Sequence, residues 1–200
     1  MASLKNKLLI PISIASLTVI MLFPFDIQIG VFVQDVIPHD FDYTLKVLSK
    51  RGVYLFYFIF FGLIIYSFFK KNSKLKKVCW AYVRAQVIFS FAVARGMKIF
   101  LGRARPGHGA EFTFFSFDSR YNSFPSGHSA DAFVSGVFLF YLLKNSRYSK
   151  YRFLPLVYAS LMALLRVIVN AHYPSDIVAG TAIGVLGACF FLSKLSDQPE

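Results

Sequence analysis

Six long apolar stretches constrain this chain more than any other feature. They cover roughly residues 8–25, 53–69, 78–100, 126–143, 153–169 and 174–193. Each approaches the ~20 apolar residues that a helix needs to cross a hydrocarbon core about 30 Å thick. A water-exposed surface is the competing setting for such runs, and it needs about a quarter charged residues. Here only 16% of 200 residues are charged, while 56% are hydrophobic. The expectation is an all-α integral membrane protein with six transmembrane helices, the whole chain forming one membrane-embedded domain. The first stretch, preceded by Lys5 and Lys7, has the look of a signal peptide. No small-x-small cleavage site follows it, and Phe23-Pro24-Phe25-Asp26 does. It is read as a membrane helix.

The net charge is +12, from 22 Lys+Arg against 10 Asp+Glu. Such a charge suits either nucleic-acid binding or a basic cytoplasmic face, and its distribution decides between them. Lys70, Lys71, Lys74, Lys76 and Lys77 lie between the second and third stretches. Lys144, Arg147, Lys150 and Arg152 lie between the fourth and fifth, and Lys5, Lys7 and Lys194 flank the ends. Neither connecting segment holds an acid. The positive-inside rule makes this side, with both termini, cytoplasmic. Asp26, Asp35, Asp40, Asp42, Glu111 and Asp118 fall on the other side. The excess is a topology signal, with the bilayer as partner and no nucleic acid. Cys79 and Cys189 each sit inside an apolar stretch, which suits neither a disulfide framework nor a metal site.

Residues 26–52 read as an extracytoplasmic loop too long for a simple turn. Within it Phe41, Leu45 and Leu48 share a helical face, with Asp40 and Asp42 before them and Lys50 and Arg51 after. That pattern predicts an amphipathic helix with charges matched to its dipole, lying in the membrane interface.

Ionisable groups inside spans are costly and mark function by default. Lys98, Arg105, His128, Arg166, His172 and Asp176 all fall at the extracytoplasmic ends of their segments, on a side assigned from the loops alone. Lys98, Arg105 and Arg166 would repel one another without an anion between them. Pro125-Ser126-Gly127-His128 opens an apolar span, so the Ser126 hydroxyl and the Gly127 and His128 N–H groups sit at a helix N-terminus suited to an anion. Gly127 has no Cβ to prevent close approach. Asp176 is four residues past His172, with Pro174 at a first helical position. It is placed to fix the His172 tautomer and raise its nucleophilicity. His128 is then free as a general acid. Taken singly, each of these has a plainer account: Lys98 or Arg166 can snorkel, and His172 can be interfacial.

In order, Lys98-x6-Arg105-Pro106, Pro125-Ser126-Gly127-His128 and Arg166-x5-His172-x3-Asp176 resemble the three-part signature of the type 2 phosphatidic acid phosphatase family, membrane-bound branch. The resemblance covers Lys98 to Asp176. Leu165 departs from it, where the family often has Ser. It implies that His172 attacks phosphorus to form a phosphohistidine oriented by Asp176. His128 would protonate the leaving oxygen and later activate water. Lys98, Arg105, Ser126, Gly127 and Arg166 would hold the phosphoryl oxygens, with no metal and no cofactor. It further implies a membrane lipid phosphate as substrate and a bacterial inner-membrane location with the site extracytoplasmic. The short chain looks like the bacterial members, which act on lipid A, undecaprenyl pyrophosphate or phosphatidylglycerophosphate, and leans toward the 1-phosphate of lipid A. A phosphotransferase with the same site is the alternative. A non-enzymatic lipid-binding protein would be expected to lose His128 or His172.

Three further residues are candidate substrate contacts. His108 lies between two glycines in the loop after the first motif. Arg95 and Asp131 sit one helical turn from Lys98 and His128; either they form an intramembrane pair, or Arg95 reaches a second anionic group of the substrate. Arg84 reads as a snorkelling residue, Gly180 and Gly184 as helix packing, and His39, Tyr43 and Trp80 as interfacial.

Overall fold

The structure, a computed structural model, describes residues 2–36, 42–109, 111–144 and 146–196. Its regular elements are helical apart from one isolated antiparallel bridge, Arg103 to Phe112. In chain order they are α1 (Ala2–Leu22), a 3-10 turn at Phe23–Phe25, α2 (Asp26–Val36), α3 (Asp42–Arg51), α4 (Tyr54–Phe69) and α5 (Ser73–Ala85). A π-helical stretch, Gln86–Val93, leads into α6 (Ala94–Leu101), followed by a 3-10 turn at Ser119–Tyr121, α7 (Gly127–Lys144), a 3-10 turn at Ser149–Tyr151, α8 (Leu154–Ile168) and α9 (Pro174–Ser196).

Five helical segments among the described residues are long and apolar enough to cross a membrane: Pro11–Val36, Tyr43–Phe69, Ser73–Leu101, Ser149–Ile168 and Pro174–Leu195. The sixth expected stretch forms α7, whose first turns carry His128, Ser129 and Asp131 and dilute its hydropathy. That dilution has a structural reason. α7 is packed against α8, α9 and α5, so its polar groups face protein. Ser129, Ser135, Ala132 and Phe138 are all fully buried.

Residues 26–36, expected as loop, are instead helix α2, which extends the first span. Asp26 does not end the helix there. Its carboxylate lies in the first turn, where an acid suits the helix dipole, and a buried arginine pairs with it. The amphipathic helix forms as α3. Leu45 packs on the core, whereas Leu48 is 43% exposed. Phe41, Asp40 and His39 lie outside the described residues.

The core runs through Phe56 and Phe60 of α4, Tyr82 of α5, Phe138 of α7, Met162 of α8 and Phe191 of α9. Tyr82 stacks on Phe60 and meets Phe138 edge-on. α9 approaches α7 closely because its glycines have no Cβ. A Cβ on Gly180 or Gly184 would overlap the carbonyl oxygen of Ser126 or Ala130. The small residues at 180 and 184 are therefore packing residues, as their spacing suggests.

Each core helix has one basic end and one site end. α5 starts among Lys74, Lys76 and Lys77, and the continuous segment ends at Lys98. α7 runs from His128 to Lys144, α8 ends on Arg166, and α9 runs from Asp176 to Lys194. The π-helical stretch is fixed by polar contacts to α7. Gln86 donates to the Asp131 carbonyl and the Ser135 hydroxyl, and Ser90 donates to the Asp131 carboxylate. Such stretches shift side-chain register and recur at functional sites.

Candidate active site

Lys98 is in the last turn of α6, which ends at Gly102 in the left-handed conformation with φ of 56°. Its ammonium donates to the carbonyls of Asn122 at 2.7 Å and Ser123 at 3.3 Å. Backbone hydrogen bonds pin the described parts of the segment from Gly102 to Pro125. Thr113 N–H donates to Gly102, Ala104 to Glu111, Arg105 to Arg120 and Ser123 to Arg103. Arg105 is further held by its Nε on the Ser119 carbonyl at 3.0 Å. Partial burial pulls its guanidinium below the usual arginine range.

Gly127 and His128 open α7, and Ser126 precedes them, fully buried. The Ser126 N–H donates to the Asp176 carbonyl at 2.9 Å, which fixes the α7 N-terminus on α9. Where Gly127 would carry a Cβ, the Lys98 side chain lies 3.7 Å away. His128 is within electrostatic reach of Arg166, Lys98 and Arg105.

Arg166 closes α8, where a cation suits the helix C-terminus. The Ala171 and His172 N–H groups both donate to its carbonyl. One guanidinium nitrogen donates to Ser49 of α3 at 3.1 Å, and the buried Nε has no partner. An unpartnered guanidinium nitrogen facing other cations is suited to an anionic oxygen.

His172 is 2% exposed and lies in the turn between α8 and α9. Burial pushes its imidazole far below the ordinary histidine range, to about 3, against the opposing influence of Asp176. It is therefore neutral, the form with a nucleophilic lone pair. The Asp176 Oδ2 is 3.4 Å from His172 Nδ1, a close approach rather than a formed hydrogen bond. Catalytic hydrogen bonds often tighten only when substrate is bound.

These eight residues come from α6, the loop after it, the start of α7, the end of α8, the turn that follows and the start of α9, and converge at one end of the bundle. Of the three further candidates, His108 lines a cavity of about 300 Å³ beside Arg105 and Arg166, together with Lys50 of α3. The described lining of that cavity holds no carboxylate. Arg95 is exposed and within electrostatic reach of Lys98. Asp131 does not pair with it. Its carboxylate accepts from the Ser90 hydroxyl, with the Tyr57 hydroxyl within electrostatic reach.

The sequence reading missed two residues. Arg103, 4% exposed, occupies one of the unspecified positions of the first motif. It donates to Asp176 Oδ1 at 2.6 Å and to Asp26 Oδ2 at 2.7 Å. Asp26, which the sequence places among the loop acids, is fully buried. The available signal was the rarity of ionisable groups next to apolar spans. Neither residue belongs to the named positions of the motifs, so the motifs alone do not point to them.

Comparison with known proteins bears on the same residues. The sequence model of the PAP2 superfamily matches residues 74–199. The chain is 34% identical over 145 residues to the lipid A 1-phosphatases of Rhizobium johnstonii and Rhizobium etli. Those matches cover 64% of this chain and 57% and 60% of the relatives' lengths. The bacitracin transport permease protein BcrC of Bacillus licheniformis is 28% identical over 68% of this chain and 64% of its own length. Among solved structures, the transmembrane PAP2-type phosphatidylglycerolphosphate phosphatase from Bacillus subtilis superposes with a TM-score of 0.67 at 19% identity. It covers 95% of this chain and 98% of that one. Aquifex aeolicus LpxE gives a TM-score of 0.60 at 21% identity, over 84% and 95% of the two chains. With all three motifs brought to one end of a shared helical fold, and a match over more than half its length, the chain belongs to the PAP2 superfamily.

Proposed function

We propose that this protein is a lipid phosphate phosphatase that spans the membrane six times and works at the extracytoplasmic face. One observation carries the reading. Lys98, Arg105 and Arg166 lie within electrostatic reach of His128 or of the His172–Asp176 pair, although they come from α6, the loop after it and α8. Three converging cations beside a neutral, buried imidazole fit a phosphate monoester or diphosphate better than any uncharged substrate.

The reaction divides into two displacements. His172 Nε2 attacks phosphorus, the bond to the leaving oxygen breaks, and His128 supplies that oxygen's proton. Water then attacks the phosphohistidine, passes its proton to His128, and releases inorganic phosphate and free imidazole. Lys98, Arg105, Arg166, the Ser126 hydroxyl and the Gly127 N–H stabilise the charge spread over the phosphoryl oxygens. The cations occupy the role that a metal takes elsewhere.

The preferred substrate is the 1-phosphate of lipid A, because the relatives matched at 34% identity are lipid A 1-phosphatases. The alternatives are undecaprenyl pyrophosphate and phosphatidylglycerophosphate, the latter favoured by a 32%-identical phosphatidylglycerophosphatase B of Bacillus subtilis. The test is phosphate release by the detergent-purified protein and by His172→Ala, with EDTA present. The panel holds lipid A, undecaprenyl pyrophosphate, phosphatidylglycerophosphate and phosphatidic acid. Release that resists EDTA and disappears in the variant is expected, fastest with lipid A. Release that survives the substitution would overturn the mechanism. Phosphate transfer to a lipid acceptor without release would indicate a phosphotransferase.

A further inference from the structure

Asp176 makes contacts far beyond those that orient His172. Its Oδ1 accepts from Arg103 at 2.6 Å, and its Oδ2 accepts from the Ser123 hydroxyl and, at 2.9 Å, the Tyr173 N–H. The second arm of the Arg103 fork reaches Asp26 Oδ2 at 2.7 Å. Asp26 in turn accepts from both the N–H and the hydroxyl of Ser175, and Arg103 donates to the same hydroxyl at 2.7 Å. The guanidinium lies between two rings, with Phe23 at 4.5 Å and Tyr173 at 4.2 Å. The side chains of Asp26, Arg103 and Asp176 are each no more than 5% exposed. Asp26 and Phe23 belong to the first span, outside the residues 74–199 that match the superfamily.

We propose that Arg103 and Asp26 are positioning residues for the phosphoryl-transfer step, joining the first span to the catalytic carboxylate. The inference rests on the phosphatase reading of the site. Arg103 fixes the direction of the Asp176 carboxylate, so that Oδ2 is aimed at His172 Nδ1. Asp26 takes up the other half of the fork. Two carboxylates share one guanidinium, which leaves a single negative charge in a buried cluster next to His172. That charge complements the cationic imidazole formed when Nε2 bonds to phosphorus. A lone Arg103–Asp176 pair would be neutral and would lack this field. Lysine is no substitute, because a single ammonium lacks the planar fork that bridges two carboxylates.

A buried ion pair is weak evidence of a stabilising role, and breaking one costs stability in any case. Melting temperature therefore does not test the inference, whereas the division between kcat and KM does. The variants are Asp26→Asn and Arg103→Lys, neither of which touches the phosphate-holding groups. The expected result is a fall in kcat of about tenfold to a hundredfold, the scale of a misaligned catalytic group. KM and competitive inhibition by inorganic phosphate should stay within about twofold, too small a change for the loss of a charged phosphate contact. In ¹⁵N-histidine NMR spectra of the resting proteins, His172 should carry its proton on Nδ1 in the wild type and lose that preference in both variants.

Unchanged kcat in both variants would overturn the inference, whatever happens to stability. So would a fall in kcat accompanied by loss of phosphate inhibition, which would mean general collapse of the site. An unaltered His172 tautomer would overturn it too, and that measurement needs no turnover. His172→Ala separates the two readings: phosphate release that survives it removes the phosphatase mechanism, while the NMR comparison still judges Arg103 and Asp26.

Discussion

A neutral histidine buried among cations leaves a thermodynamic signature. His172 takes a proton near 6.5 when exposed and near 3 in its folded surroundings, chiefly because burial disfavours the charged form. Between those values the unfolded chain binds a proton that the folded chain does not. Stability contributed by His172 is therefore lost as pH falls through this window, by at most about 1.4 kcal/mol per pH unit. The apparent melting temperature in detergent should drop between pH 7 and about pH 5, and His172→Gln should reduce that slope. An identical slope in the variant would mean that the folded protein protonates His172 as readily as water does. Arg166 shows the same division between fixed and unfixed groups: one nitrogen is anchored on Ser49 while Nε stays free of partners. The residue types at these positions were readable from the sequence because each of them is expensive in an apolar setting.

At the scale of elements, the site depends on how closely α9 lies on α7. The Ser126 carbonyl abuts Gly180, and the Asp176 carbonyl receives the Ser126 N–H, so two contacts set the height of the α7 N-terminus. Gly180→Ala should push the helices apart, cost about 1–3 kcal/mol, and lower kcat by displacing Ser126 and Gly127. Gly62→Ala is the comparison, since a Cβ there meets nothing within 4 Å. It should be neutral or stabilising by up to about 1 kcal/mol. Equal losses from both substitutions would show that α7 and α9 do not depend on this contact.

The same elements show what the sequence made legible. The helix-ending Gly102, the Pro174 start of α9 and the 180/184 packing pair follow from local rules and are found as expected. Helix α2 was not legible, because Asp26 and Asp35 look like loop acids until the buried partner of Asp26 is known. That partner, Arg103, is 77 residues away. No periodicity reports a contact across such a separation. For the same reason the Asp131 carboxylate was read against its helical neighbours, when its partners lie on other helices.

For the whole molecule, the two ends of the bundle differ in charge and in chemistry. Lys70, Lys71, Lys74, Lys76 and Lys77 lie at or just before the start of α5 and Lys150 and Arg152 before α8, and the site lies where those segments end. A segment of 29 residues such as Ser73–Leu101 is long enough to cross a bilayer core, and the proposed topology puts its ends on opposite sides. Under the proposed orientation, which rests on the positive-inside rule, Lys150 is expected in the cytoplasm and His108, beside Arg105, outside. In a Cys79→Ala, Cys189→Ala background, His108→Cys should react with a membrane-impermeant maleimide on intact cells. Lys150→Cys should react only after the membrane is opened. Both residues are exposed, so burial does not account for a difference between them. The opposite pattern would place the site in the cytoplasm and would make a lipid exposed in the inner leaflet the substrate of the proposed reaction.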